Sequence, residues 1–165
     1  MILADTSLLA LLPDLIRDPD PALVNPASID LRIGRGLLYE DGDRDMGWNL
    51  VEDGAYPLTP HEFVLVETLE HITVPNGYVA ELRLKSSSAR AGFNHSLAFW
   101  VDPGWSGILT MEVANLRRAR SLPLIYGARF AQLIVHTLDA PAAAPYAGRY
   151  QGATTVQAAK NLGDA

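Results

Sequence analysis

From residue 28 onward the chain is built of short alternating runs, each closed by Gly, Pro, Asn or Asp. In SIDLRIG, the apolar residues Ile29, Leu31 and Ile33 fall on one face at the period of two that a half-buried strand requires. HEFVLVETLE, ITVP, GYVAELRL, SLAFWV, GILTMEV, LPLIYG and ARFAQLIVHTL repeat the pattern. Pro57, Pro60, Pro75, Pro103 and Pro123 mark joints, because proline cannot donate to a strand ladder. Strands this short and frequent point to a mainly β chain, an antiparallel barrel or sandwich. At 165 residues, 48% of them apolar, it reads as one folded domain.

The two ends differ from this texture. Near the N-terminus, Leu8, Leu9, Leu11, Leu12, Leu15 and Ile16 form an apolar stripe behind the N-cap types Asp5, Thr6 and Ser7. That predicts a short helix, kinked or shortened by Pro13. DPDPALVNP (18–26) is a turn region. From Ala140 the chain is rich in Ala, Pro and Gly and carries Tyr146, Arg149 and Tyr150. Residues 1–139 therefore read as the β domain and 140–165 as its C-terminal arm, which either orders over a ligand or frays.

Several chemistries are excluded early. The absence of cysteine removes disulfides, thiolate nucleophiles and zinc–thiolate sites. A net charge of −6 argues against a broad nucleic-acid footprint. No apolar run approaches the roughly 18 residues of a membrane span, and no basic leader precedes a cleavage site, so a cytoplasmic protein is expected. His61, His71, His95 and His136 lack metal-ligand spacing, so no protein-bound metal is expected. Gly34-Arg35-Gly36 lacks the third glycine of a phosphate loop.

Two segments carry chemical potential. Lys85-Ser86-Ser87-Ser88-Ala89-Arg90 follows a strand and gathers hydroxyls, amides and cations. Such a turn binds phosphate oxygens, or is simply a turn. Val101-Asp102-Pro103-Gly104 then leads into a strand on which Leu109, Met111 and Val113 share the apolar face, while Thr110 and Glu112 face the other way. Glu112 lies either in solvent or in a cleft.

At these residues the sequence resembles the dCTP deaminase branch of the dUTPase-like superfamily. The resemblance is carried by PASIDLRIG (26–34), LTPHEFVLVETLEHITVP (58–75), KSSSARAG (85–92), AFWVDPGWSGILTMEVAN (98–115), YGARFAQL (126–133) and PYAGRYQG (145–152), in the family's order. It implies a distorted antiparallel β-barrel with a short N-terminal helix, assembled as a homotrimer with active sites between subunits. It also implies deamination of dCTP to dUTP and ammonia, with no metal at the base and Mg2+ accompanying the triphosphate. Glu112 falls on the family's catalytic glutamate, Arg90 on the arginine that orders it, and Ala98 where a backbone carbonyl positions the water. Lys85, Ser86 and Ser87, with Ser88 and Ala89 of the same turn, fall on the phosphate-binding segment. Asp102 falls on the acceptor of the deoxyribose 3′-hydroxyl. Thr110 and Met111 fall beside the pyrimidine, and Gln132, Tyr146 and Arg149 on further substrate contacts. The sequence departs from the family pattern at Phe99, at Ser88 where leucine is common, and at Ala153 where the arm usually carries glutamine. The alternatives are a dUTPase, a bifunctional dCTP deaminase/dUTP diphosphatase, or a catalytically weak nucleotide-binding regulator. The Asp102 hairpin lacks the Asp-x-x-Tyr-x-Gly usual in dUTPases.

Overall fold

A computed structural model describes residues 1–95 and 99–160. The helix α1 (Asp5–Leu15) is followed by a 3-10 turn (Pro21–Leu23) and the strands β1 (Val24–Asn25), β2 (Ser28–Asp41), β3 (Arg44–Asn49), β4 (Tyr56–Leu58), β5 (Phe63–Thr73) and β6 (Tyr78–Leu84). Then come α2 (Ser86–Ala91), β7 (Phe93–His95), β8 (Trp100–Val101), β9 (Ser106–Asn115), β10 (Leu122–Leu124) and β11 (Arg129–Thr137). The main sheet runs β7-β9-β5-β2-β11-β6-β8, with β1 and β3 also paired to β2, and every pairing is antiparallel. It curls into a half-barrel, and β10 and β4 form a separate pair.

The alternation read from the sequence is the alternation that fills the core. Ile29, Leu31 and Ile33 of β2, Val64, Val66 and Ile72 of β5, Met111 and Val113 of β9, and Leu133 and Val135 of β11 are all buried together. Helix α1 adds Leu8, Leu12 and Leu15 at the spacing of one helical face, while Leu9 remains exposed. Burying each such side chain contributes about 1.5–3 kcal/mol. Pro13 lies inside α1 without ending it: it sits on the exposed side, and the Ile16 amide still reaches the Leu12 carbonyl at 2.9 Å. The N-cap position is Ala4, with no side-chain cap; Asp5 instead accepts from the Thr6 amide.

Two elements differ from the sequence reading. The runs HEFVLVETLE and ITVP are not two strands: Phe63–Thr73 is one continuous strand, β5, whose pairing to β9 shifts register between Glu67 and His71. The Ser-rich segment is a six-residue helix, α2, ended by Gly92 in the left-handed region (φ 111°).

Candidate active site

β9 lies between β5 and β7, and its period of two separates the core from a cavity. Met111 and Val113 face inward, whereas Thr110 and Glu112 line a cavity of about 510 Å³. Leu65, directly across the ladder from Glu112, and Phe63 supply apolar wall beside the carboxylate. Burial pushes the Glu112 carboxyl above its ordinary value of 4.5, only partly opposed by a backbone hydrogen bond. Its Oε2 is buried and has no hydrogen-bond partner among the described residues. A carboxyl in this condition holds a proton more readily than one in water, which suits it to exchange protons with a reacting group. His95, on β7, brings Nδ1 to 3.4 Å from the Glu112 carbonyl oxygen; burial pulls its pKa down and favours the neutral ring.

The opposite rim is Asp102 and the hairpin that follows it. Gly104 makes the turn at φ 85°, and a Cβ there would come within 2.5 Å of Pro145. That clearance lets the arm return: the Tyr146 amide donates to the Pro103 carbonyl at 2.8 Å, and the Tyr146 ring meets Trp105 edge-on at 5.5 Å. Farther along, the Gly152 amide donates to the Ser106 carbonyl and the Ile108 amide to the Ala153 carbonyl, each at 2.8 Å. Gly107 permits this approach, since a Cβ there would stand 3.0 Å from the Ala153 backbone. From Gly152 to Gln157 the arm therefore lies against β9, and Tyr146, Tyr150 and Gln157 join the cavity wall.

The candidate residues divide into two groups. Asp102, Thr110, Glu112 and Tyr146 line the one cavity, while Met111 is turned into the core behind it. Lys85, Ser86, Ser87, Ser88, Ala89, Arg90, Gln132 and Arg149 are not among the cavity's walls. Ser86, Ser87, Ala89 and Arg90 lie exposed on α2, but Ser88 is buried and its hydroxyl donates to the Phe130 carbonyl at 3.1 Å. A leucine would not make that bond, so the serine at this position fastens the helix to β11. Lys85 Nζ is 2.5 Å from Oδ1 of buried Asp30, and Gln132 Nε2 donates to Ser28 Oγ at 3.0 Å. Gln132 faces Asp30 on one side and Arg83 on the other, so polar groups cross three strands in a row. Phe99 lies under the Arg83 guanidinium, 4.6 Å away, and Ala98 lies outside the described residues. The Arg149 guanidinium donates to the Lys160 carbonyl. Among the described residues no group of three His, Asp or Glu side chains converges to hold a metal.

Sequence reasoning missed three contributors. Arg117 donates to the carbonyls of Arg90 and Ala91 at 2.7 and 2.6 Å, holding the end of α2. Gln157 donates its amide to Thr110 Oγ1 at 3.0 Å. Glu67 is buried beneath the arm. No local signal marks any of them, because each contact joins segments more than 25 residues apart.

A curled antiparallel sheet with a half-buried carboxylate on the wall of a cavity under a returning arm defines a mainly β half-barrel protein. The model of the family described as dCTP deaminase-like matches residues 2–138, and the chain belongs to that family. It is 37% identical over 137 residues to the dCTP deaminase of Pyrococcus furiosus, covering 83% of this chain and 84% of that one. It is 38% identical over 155 residues to the "dCTP deaminase, dUMP-forming" of Thermobifida fusca, covering 82% and 79%. Its fold is shared with the crystal structure of 2′-deoxycytidine 5′-triphosphate deaminase from Agrobacterium tumefaciens, at a TM-score of 0.70 and 23% identity. That alignment covers 83% of this chain and spans about half, 48%, of the other.

Proposed function

We propose that the chain is a dCTP deaminase, converting dCTP and water to dUTP and ammonia with Glu112 as the proton-transferring group. The observation that carries the reading is the Glu112 carboxyl: half-buried on the wall of a cavity of about 510 Å³, raised in pKa by that burial, and with no hydrogen-bond partner for Oε2 among the described residues. In this reading the carboxylate takes a proton from the attacking water and passes it to N3 as oxygen bonds to C4. It then moves the remaining hydroxyl proton to the amino group, the C4–N bond breaks, ammonia leaves and C4=O forms. Such proton transfer contributes typically 10²–10⁴-fold. No metal acts at the base; magnesium belongs to the triphosphate substrate. Asp102 accepts the 3′-hydroxyl at the cavity edge, Thr110 lies beside the pyrimidine, and Tyr146 closes the side formed by the arm.

The phosphate-binding candidates on α2 do not line the Glu112 cavity, and Arg90 makes no side-chain bond to Glu112 within the described residues. That separation supports a homotrimer in which one subunit's α2 completes the cavity of another. The substrate, a free nucleotide, places the enzyme in the cytoplasm in this reading.

A second reading is a bifunctional enzyme that also releases pyrophosphate, favoured by the dUMP-forming relative from Thermobifida fusca. Incubation with magnesium and either dCTP or dUTP, following ammonia and pyrophosphate, separates the two. Ammonia alone supports the deaminase, and both products support the bifunctional enzyme. Neither product from either nucleotide would overturn both readings.

A further inference from the structure

Opposite Glu67 the pairing of β2 with β5 shifts register: Ile33 meets Thr68, but Leu37 meets Val66. Three residues of β2, Gly34 to Gly36, thus stand opposite one of β5, Glu67, a bulge that withdraws amides from the ladder. The freed amides of Arg35 and Gly36 donate to Glu67 Oε1 at 3.0 and 2.8 Å. The glycines around them are required by space. A Cβ at Gly34 would stand 2.6 Å from Glu67 Cγ, and one at Gly36 2.8 Å from Oε2. Glu67 lies on the outward phase of β5, with Leu65, yet only 9% of it is exposed. What covers it is the arm: Thr155 Oγ1 and the Val156 amide donate to Oε2 at 2.8 and 2.7 Å. One residue later the Gln157 amide donates to Thr110 Oγ1, two residues from Glu112.

We propose that Glu67 is a positioning residue for the cavity, its carboxylate gripping the arm at Thr155 and Val156 and so setting Gln157 against Thr110. One oxygen is fixed to the bulge and the other holds the arm, and only an ionised carboxylate accepts from all four donors at once. A glutamine puts an NH2 group against one pair of donors. The consequence for turnover rests on the cavity being the dCTP site; the grip itself does not.

The test uses the full chain and two variants. Glu67→Gln removes the second acceptor at unchanged size, and Thr155→Val with Val156→Pro removes both arm donors without touching β2 or β5. Amide hydrogen exchange without nucleotide reads the grip directly. At Gln157 and Ile108 exchange accelerates about tenfold or more in both variants, the scale of one lost charge-assisted hydrogen bond. With Mg-dCTP, KM rises about tenfold and kcat falls by less, a split that general destabilisation does not produce. Unchanged exchange in the arm-side double variant overturns the proposal even if Glu67→Gln fails to fold. If the parent chain turns over no dCTP, the deaminase reading falls while exchange still decides the role of Glu67.

Discussion

Lys85 Nζ lies 2.5 Å from Oδ1 of Asp30, a carboxylate whose side chain is 1% exposed. Asp30 also accepts from Asn25 Nδ2 at 2.8 Å, and the Arg129 guanidinium stands 3.5 Å from its other oxygen. The lysine that the family resemblance assigns to phosphate thus already serves a buried carboxylate. It is held at the strand end before α2 and does not sweep solvent.

Lys85→Ala is therefore expected to have two effects. Removing the ammonium leaves Asp30 under-compensated, costing roughly 1.5–3 kcal/mol on the scale of charge-assisted hydrogen bonds. It also weakens dCTP binding more than deoxycytidine binding. Asp30→Asn should cost stability alone, because the lysine keeps its charge. Melting temperatures and equilibrium binding of both ligands check this. Equal losses for dCTP and deoxycytidine in Lys85→Ala would remove Lys85 from the phosphate site.

Arg117 is expected to govern Arg90 from a distance. Its guanidinium closes the C-terminal end of α2, where cations interact favourably with unpaired carbonyls, an effect of about 0.3–1 kcal/mol near a surface. A Cβ at Gly92 would come within 2.6 Å of Arg117 Nε, so the glycine leaves room for this guanidinium. Arg117→Ala should shift the melting temperature by only a few degrees, yet lower kcat if Arg90 orders the catalytic carboxylate. Arg117→Lys should recover part of the loss, since it restores the charge without the fork. A parent-like kcat in Arg117→Ala would show that the set of α2 does not matter to turnover.

These cases show where the sequence was legible. The period of two was readable in SIDLRIG and GILTMEV because one face of each strand is buried in a single core, so alternation reports burial directly. It also separated Glu112 from Met111. Helix α2 was not readable: six residues are less than two turns, too short for a 3.6-residue period to show. It is held by Ser88 on Phe130 and Arg117 on Arg90, contacts that no local pattern encodes. Within HEFVLVETLE nothing singles out Glu67, and Gly34-Arg35-Gly36 reads only as a glycine pair without the third glycine of a phosphate loop. They explain each other only once the β2–β5 register and the returning arm are known.

Assembly is the third expectation. If α2 of one subunit completes the cavity of another, the chain should scatter light with about three times its 17.9 kDa mass at micromolar concentration. A monomer mass with full dCTP turnover would show that one chain suffices and that α2 does not reach a neighbour's cavity.

The last expectation concerns Glu112, where activity and stability should move in opposite directions. Burial raises its folded-state pKa above the ordinary 4.5. Between the unfolded and folded values the folded chain binds the extra proton, so this group's contribution to stability falls as pH rises through that window. Above the folded value the full penalty of a desolvated carboxylate remains; below the ordinary value it vanishes. Glu112→Gln removes the penalty at unchanged size. The variant should therefore melt higher than the parent at pH 7, with the difference shrinking as pH falls toward 4.5 and below. The same change removes the proton acceptor, so kcat for dCTP should fall by at least about 10² while dCTP still binds. A glutamine variant with parent-like turnover and an unchanged melting temperature would mean that Glu112 is a solvated strand residue, since surface changes usually lie within about 0.5 kcal/mol. Lost turnover with no gain in stability at pH 7 would keep the catalytic role but place the charged carboxylate among compensating groups supplied from outside the single chain, as a subunit-spanning site would supply them.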